Sequence, residues 1–373
     1  MHDPSTRPAP RLSIVIDNYN YEQFVARAID SALEQTVSDL IEVIVVDDGS
    51  TDRSMAVIAA YADRVRIIDK PNGGQASAYN AGFAAARGQL VLFLDADDWI
   101  YPDAAAEIIA AWAPGTSKVQ FLLDMVDGAG DPLHRQVPRE LHDAEAPQLM
   151  RDCGAYGSPP GSGNAYDRDY LRQVMPLDES AWRTGADSVP ILLAPAYGQI
   201  RSLRRALGAY RIHRALDDDA LVFNNYSGSL LSEFLRITAG KRAVAEGLDR
   251  LGVPRAEPLG LAPWEARTMV MCARFGGPQA RVAMQPSPGA VVRHALRSVC
   301  RWPYIPLRRK LQMVVWMLGV TALPLSLAHR LARMHRRSAG QPDPSAHAAA
   351  ARLAAMKLHG AEPVPLSSPD RPC

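Results

Sequence analysis

The chain lacks the common motifs for binding phosphate and for presenting a nucleophile. No GxGxxG sequence follows its first predicted strand, and it contains neither a GxxxxGK loop nor a Gly-x-Ser-x-Gly elbow. These absences exclude the usual dinucleotide, P-loop and serine-hydrolase sites. Cysteine is scarce as well, and the four cysteines have no CxxC spacing: Cys153, Cys272, Cys300 and Cys373. We therefore expect no zinc site, and we expect buried or incidental thiols in a reducing compartment.

The chain also lacks a net charge of one sign and an apolar leader. Its 41 Lys and Arg residues balance 40 Asp and Glu residues, which gives no reason to expect a nucleic-acid partner. Residues 1–10 are polar and rich in proline, which predicts a disordered lead-in without a signal peptide. We therefore expect a cytoplasmic protein. The 373 residues, 47% of them hydrophobic, suffice for a large α/β domain with additions.

Two apolar runs in the first half end in acidic residues. Leu90–Asp98 reads LVLFLDADD, and Ile41–Val46 is followed directly by Asp47 and Asp48. Such runs are typical of buried parallel strands, and ligands of open α/β sheets bind beyond the carboxyl ends of the strands. We expect these two strands to be neighbours. Two carboxylates with no basic residue beside them suit a divalent cation, although acids at a strand end also cap helices.

Strands and helices alternate through the first 125 residues, which predicts an α/β fold with a doubly wound, mostly parallel sheet flanked by helices. Residues 138–163 show little periodicity and predict a long loop. We divide the chain into a disordered lead-in (1–10), a catalytic domain (11–215, halves 11–125 and 126–215), a helical extension (216–290), basic and apolar helices (291–337) and a disordered tail (338–373).

The motifs of the first half resemble those of the family 2 glycosyltransferases, which have the GT-A fold. The resemblance covers about residues 11–125 and continues more loosely to Ile212-His213. It rests on four groups of residues: Ser13–Ile16 with Tyr19-Asn20, Val45–Asp52, Asn72–Gly74 with Asn80–Gly82, and Leu94–Asp98. It implies an enzyme that takes a nucleotide-sugar donor.

The resemblance also implies roles for individual residues. In the donor site, Asp48 would contact the nucleobase and Asp95 the ribose or diphosphate, and three further residues would line it: Tyr19, Asn72 and Asn80. Asp97, with His213, would hold Mn²⁺ or Mg²⁺. Asp187 would be the general base of an inverting transfer to a hydroxyl acceptor. Two plainer alternatives stay open, since Asp187 could cap the following helix and His213 could be structural.

Departures from the family pattern, and rival functions, accompany this resemblance. Asp17 stands where the family has a small or hydroxylated residue. The Gln-x-x-Arg-Trp motif of processive members and their several membrane spans are missing, which favours transfer of a single sugar. One rival is a haloacid-dehalogenase-type phosphatase with Asp95 as nucleophile. The other is a catalytically degenerate sugar-binding scaffold.

The apolar run Leu311–Ala328 carries basic residues on both sides. Its length is borderline for a bilayer span, and Pro324 interrupts it. It fits a helix lying in an anionic membrane interface or a core helix packed on the catalytic domain. We favour peripheral membrane contact through residues 308–337, at the inner face of the cell membrane, because a lipid-linked or saccharide acceptor would fit there.

Overall fold

The computed structural model describes residues 9–213, 229–285 and 287–339. Most of the predicted lead-in (1–8), the start of the predicted helical extension (216–228) and nearly all of the predicted tail (340–373, with Cys373) lie outside them. Nine strands of these ranges form one sheet: β1 (Leu12–Asn18), β2 (Ile41–Asp47), β3 (Arg66–Asp69), β4 (Leu90–Asp95), β5 (Trp99–Ile100), β6 (Thr116–Val126), β7 (Pro132–Val137), β8 (Asn164–Asp167) and β9 (Gln199–Arg211). Their order is β3-β2-β1-β4-β8-β6-β9-β5, with β7 paired to β6.

Helices of the described ranges cover both faces of this sheet and continue beyond it. Those of the first 213 residues are α1 (Val25–Leu33), α2 (Ser54–Ala59), α3 (Gln75–Ala85), α4 (Ala104–Ala111), α5 (Ala146–Cys153), α6 (Arg168–Val174) and α7 (Ser188–Tyr197). The later helices are α8 (Leu230–Arg250), α9 (Pro263–Phe275), α10 (Gly277–Ala283), α11 (Pro288–Arg301), α12 (Leu307–Ala322) and α13 (Leu325–Ala339).

The order of the parallel strands corrects one expectation. The strands β2 and β4 are not neighbours, because β1 lies between them and pairs with both in parallel. The chain winds outward from β1 through β2 to β3 and then returns to the other side of β1. This reversal is a topological switch point, where ligands of open α/β sheets bind. Here the register sets Asp17 opposite Asp95 and Asn18 opposite Asp47.

Antiparallel pairing enters in the second half of the domain. The strand β8 pairs in antiparallel with both β4 and β6, whereas the long β9 runs parallel to β6. The region 138–163 is not one structureless loop, since it contains α5 and a 3₁₀ turn at Gly161–Gly163. Proline and glycine on either side hide the short amphipathic pattern of α5, which buries Leu149, Met150 and Cys153.

The C-terminal helices pack on one another and share one apolar cluster with the domain, which α8 contacts through α7. On α12, one face is buried in the same apolar cluster as Phe93 of β4: Met313, Trp316, Met317 and Val320. The apolar run breaks at Leu323-Pro324, because proline cannot continue the helix, and α13 starts afresh. The boundary expected at residue 290 falls inside α11. In the described ranges no helix combines the length and apolarity needed to cross a bilayer.

Candidate functional site

The switch point between β1 and β4 gathers acidic side chains. The strand β4 ends at Asp95, and the turn after it carries Asp97 and Asp98. Oxygen atoms of these three carboxylates lie within 4.8 Å of one another. The family resemblance implied roles for Asp95 and Asp97 but none for Asp98. Carboxylate oxygens so close together are the ligand type that Mg²⁺ and Mn²⁺ prefer.

Asp98 is the support of this group. Ser162 donates a hydrogen bond from Oγ to Asp98 at 2.6 Å, and the Arg211 backbone N–H donates another at 2.8 Å. Each of its oxygens is thereby engaged, and Asp98 is only 1% exposed. Ser162 Oγ also accepts the N–H of Asp95 at 3.2 Å, and Arg211 Nε donates to the Asp97 carbonyl at 2.9 Å. Ser162 and Arg211 thus fix the acidic turn from two other segments.

The structure brings the two predicted metal ligands together. Nε2 of His213 lies 2.5 Å from Oδ2 of Asp97. The imidazole stacks on the Tyr21 ring at 5.6 Å between centroids and meets the Phe24 ring at 5.3 Å. Asp97 is 7% exposed, so its carboxylate is largely shielded from solvent. Tyr21 and Phe24, which the sequence analysis did not single out, orient the histidine.

The buried carboxylates of the site repel one another, and their pKa values are raised. Burial, reinforced by Asp97, raises the pKa of Asp17 to about 8. Burial also raises the pKa of Asp95 well above its usual range, with Asp17 and Asp98 adding to the effect. Oδ1 of Asp17 is shielded from solvent and has no hydrogen-bond partner among the described residues. A divalent cation would relieve this repulsion, so the side chains present fit one.

The loop after β3 is fixed through Asp48. This carboxylate accepts hydrogen bonds from Lys70 Nζ at 2.5 Å, from Gly73 N at 3.0 Å and from Gly74 N at 2.7 Å. Asp48, which was expected to contact the nucleobase, therefore holds the backbone of this loop in place. Asn72, in the same loop, accepts a hydrogen bond from Arg183 Nη2 at 2.7 Å.

Asn80 and Tyr19, the other two residues predicted to line the donor site, lie outside the loop that Asp48 holds. The side chain of Asn80 ties α3 to residues 177–179: Nδ2 donates to the Leu177 carbonyl at 3.0 Å and to Glu179 at 3.1 Å, while Oδ1 accepts the Leu177 N–H at 2.7 Å. These contacts give Asn80 a structural role. Tyr19 follows β1 and is 46% exposed, so its ring is open to a ligand.

The predicted base, Asp187, is joined to the acidic group by one side chain. Gln75 donates from Nε2 to Asp95 Oδ1 at 3.4 Å and accepts the Ala186 N–H on Oε1 at 3.0 Å. The Gln75 N–H itself donates to the Arg183 carbonyl at 2.9 Å. Although Asp187 precedes α7, its carboxylate makes no N-capping hydrogen bond. The capping alternative therefore does not account for it.

Burial raises the pKa of Asp187, and the positive charge of Arg236 on α8 opposes that rise. Arg236 is held by Glu233 at 2.8 Å, and the Gly185 backbone leaves room for it, since a Cβ there would lie 3.3 Å from Arg236 Cδ. The helical extension thus contributes to the site, which the sequence patterns did not indicate.

Comparison with known proteins agrees with this geometry. The family described as "Glycosyl transferase family 2" matches residues 13–175. An uncharacterized glycosyltransferase of Nostoc sp., alr2836, is 40% identical over 213 residues, which cover 55% of this chain and 66% of that protein. Residues 13–175 form a family 2 glycosyltransferase domain. The resemblance inferred from the motifs is thereby confirmed.

Two other proteins are similar to this chain, one in sequence and one in structure. The succinoglycan biosynthesis protein ExoO of Rhizobium meliloti is 40% identical over 153 residues, which cover 40% of this chain and 43% of ExoO. The chain thus spans less than two thirds of the length of these curated relatives. The structure of residues 1–349 of S. aureus TarS in complex with UDP has a TM-score of 0.51 at 16% identity, covering 89% of this chain and 92% of that one. It shares the fold, which confirms the expected GT-A architecture.

Proposed function

We propose that this chain is an inverting, metal-dependent glycosyltransferase that moves a single sugar from a nucleotide-diphosphate sugar to a hydroxyl acceptor. The observation that carries the proposal is the Gln75 bridge. One side chain contacts both Asp95, in the acidic group, and the backbone beside Asp187. A donor held at the acids would then present its anomeric carbon near a carboxylate able to accept a proton.

The acidic group would bind the nucleotide-sugar donor and its cation. Asp97 and His213 would hold Mn²⁺ or Mg²⁺, and Asp95 would face the ribose or diphosphate. The cation, when bound, neutralises the charge that develops on the departing nucleoside diphosphate. Asp48 and Asn72 shape the loop at the nucleobase end, with Tyr19 open beside it. Asn80 supports this side from α3 through its contacts with residues 177–179.

Asp187 would act on the acceptor as the general base. Its carboxylate accepts the proton of the acceptor hydroxyl while that oxygen bonds to the anomeric carbon. The bond from that carbon to the diphosphate oxygen breaks in the same step, with inversion, and the diphosphate leaves with the bonding electron pair. The raised pKa of Asp187 suits this role, because a base works best when its pKa approaches the working pH.

The setting of the reaction belongs to the same proposal. ExoO is a succinoglycan biosynthesis protein, and this likeness supports a role in cell-surface polysaccharide or glycolipid synthesis. The acceptor would be a saccharide or a lipid-linked saccharide, reached from the cytoplasmic side of the membrane. Peripheral contact of residues 308–337 with that membrane would keep the enzyme near such an acceptor.

A binding titration tests the donor site. UDP, GDP and TDP are titrated with and without Mn²⁺ against the wild type, Asp97→Ala and Asp187→Asn. We expect one diphosphate to bind with Mn²⁺, Asp97→Ala to abolish that binding and Asp187→Asn to retain it. If no diphosphate binds and the protein hydrolyses p-nitrophenyl phosphate in a reaction that depends on Asp95, the chain is a phosphatase and the proposal is wrong. If it neither binds a diphosphate nor hydrolyses the phosphoester, the chain is a degenerate sugar-binding scaffold.

A further inference from the structure

The helix α12 has two apolar faces, and only one of them is covered. The buried face, with Met317 and its neighbours, packs against the helices α9, α11 and α13. The opposite face exposes four aliphatic side chains at intervals of four, four and three residues, which places them on one side of the helix. This aliphatic stripe consists of Leu307 (71% exposed), Leu311 (56%), Val315 (68%) and Leu318 (50%).

The exposed apolar surface continues beyond the bend after α12. Leu323, Leu325 and Leu327 are 37%, 56% and 47% exposed. Single exposed leucines are ordinary on soluble proteins, but seven large exposed aliphatic side chains along α12, the bend after it and the start of α13 are not. Such a concentration of exposed apolar side chains marks an interaction surface.

The helices α10–α13, on which the stripe lies, carry charge of one sign, although Glu140 of the domain lies 4.0 Å from Arg309 of α12. Between Glu265 and Asp343 the sequence contains no Asp or Glu but thirteen Lys and Arg residues. Arg293, Arg297 and Arg301 are exposed at intervals of four along α11, and Arg308 follows the first residue of the stripe. Because the whole chain is nearly neutral, the remainder of the chain carries an excess of acid. The basic surface is thus a local feature of the C-terminal helices.

The combination of features indicates the occupant of this surface. Aliphatic side chains flanked by Lys and Arg fit the boundary between the acyl chains and the anionic headgroups of a bilayer. A second copy of this chain would bring one basic surface against another, which electrostatic repulsion opposes. Within the described ranges no helix has the length and apolarity to span a bilayer.

We propose that the aliphatic stripe and the exposed leucines after it enter the surface of an anionic lipid bilayer, with basic side chains of α11 and α12 contacting the lipid phosphates. This inference rests on the proposed membrane contact of residues 308–337 and not on the chemistry of the donor site. It names the surface and the class of lipid. Because α12 packs through its other face on α9, which α8 connects to α7 of the domain, the domain would be held at the bilayer surface with it.

Sedimentation with vesicles tests the surface. The full chain is mixed with vesicles of phosphatidylcholine alone, or of phosphatidylcholine with phosphatidylglycerol. We expect binding to the anionic vesicles that falls with added salt, and a loss of about tenfold or more in affinity for Leu311→Gln combined with Val315→Gln. Val282→Gln and Leu235→Gln, at exposed apolar positions of α10 and α8, are matched controls that should bind like the wild type. Arg293→Gln combined with Arg297→Gln should weaken binding to the anionic vesicles.

Three results would overturn the proposal: no binding by the wild type, equal binding by the stripe variant, or equal loss in the control variants. A lower oligomeric mass of the stripe variant without any lipid binding would assign the surface to a second copy instead. Binding of the nucleoside diphosphate is measured on the same variants. Loss of vesicle binding with diphosphate binding intact separates this surface from the donor site, so each proposal can fail without the other.

Discussion

Nε2 of His213 and Oδ2 of Asp97 lie 2.5 Å apart, although 116 positions separate the two residues in the chain. The turn after β4 supplies one partner, and the end of β9 supplies the other. Arg211 connects the same two segments, because its backbone N–H donates to Asp98 and its Nε to the Asp97 carbonyl. The histidine is therefore held at the acidic group by the sheet itself, and its ring is oriented by Tyr21.

This geometry predicts the effect of His213→Phe. Phenylalanine retains the ring that packs against Tyr21 but removes the nitrogen atom beside Asp97. We expect the affinity for Mn²⁺ to fall at least about tenfold, because losing one of the two side chains proposed to hold the cation should cost no less than losing an outer-shell partner of a ligand. Isothermal titration with Mn²⁺ alone measures it. Tyr19→Phe, which alters an exposed ring on the same side of the sheet, should leave that affinity unchanged. Equal Mn²⁺ affinity in His213→Phe and the wild type would show that the histidine has no part in the cation site.

Asp187→Asn should separate binding from chemistry. The amide matches the carboxylate in shape but cannot accept the proton of an attacking hydroxyl. We expect the affinity for the nucleoside diphosphate to stay within about twofold of the wild type, because the Gln75 contacts involve the backbone of Ala186 and not the Asp187 side chain. Turnover should fall by about a hundredfold to ten-thousandfold.

Slow release of the diphosphate from a sugar nucleotide, with water as acceptor, provides the assay for Asp187→Asn. The Glu179→Gln variant is the control, since this exposed carboxylate contacts Asn80 and not the acidic group. Undiminished turnover in Asp187→Asn would remove Asp187 from the role of base.

The sequence predicted the acidic strand ends but not their arrangement. Apolar runs ending in Asp95 and Asp48 are local patterns, and so is the strand before His213. The order of strands is not local, and nothing in a strand's own residues says that β1 separates β2 from β4. The apolar run 311–328 is also visible in the sequence, but not its division between α12 and α13, nor that one face of α12 would be buried while the other stayed exposed.

Residues that support the site carried no signal that a single sequence reveals. Ser162 lies 64 positions from Asp98, and Gln75 lies 111 from Ala186, so only the folded chain makes them partners. A serine before a strand and a glutamine at the start of a helix are ordinary surface residues in a sequence. The same holds for Arg236, which lies in a helix assigned to an extension.

Arg236→Met should shift the pH dependence of the reaction. The positive charge of Arg236 holds down the pKa of Asp187, which burial raises. The base has to be ionised, so activity falls below the pKa of Asp187. Removing the cation lets that pKa rise, and the acidic limb of the kcat/KM profile should move to higher pH. The acids Asp17, Asp95 and Glu233 add to this effect, because they stay in place.

Hydrolysis of a sugar nucleotide between pH 5 and 9 measures the shift. Arg242→Met, an exposed position of α8 where arginine pairs with Glu246, should leave the profile unchanged. If the rate drops equally at every pH in Arg236→Met, the arginine acts through packing and not through its charge.

Gly82→Ala should destabilise the fold at the contact between α3 and the sheet. A Cβ at residue 82 would lie 2.2 Å from Val15 Cγ1 and 3.3 Å from Val46 Cγ2. Because strands on both sides fix these valines, α3 has to move away, at a cost of about 1–3 kcal/mol in the free energy of unfolding. Urea denaturation measures it. Gly289→Ala is the matched control, since the nearest atom to its Cβ is the flexible Arg293 Nη1 at 3.7 Å.

A second change, Val15→Ala in the Gly82→Ala background, tests whether the clash with Val15 causes the loss of stability. If the clash is responsible, the two changes should cost less together than the sum of their separate costs. Simple additivity would mean that the loss arises elsewhere in α3.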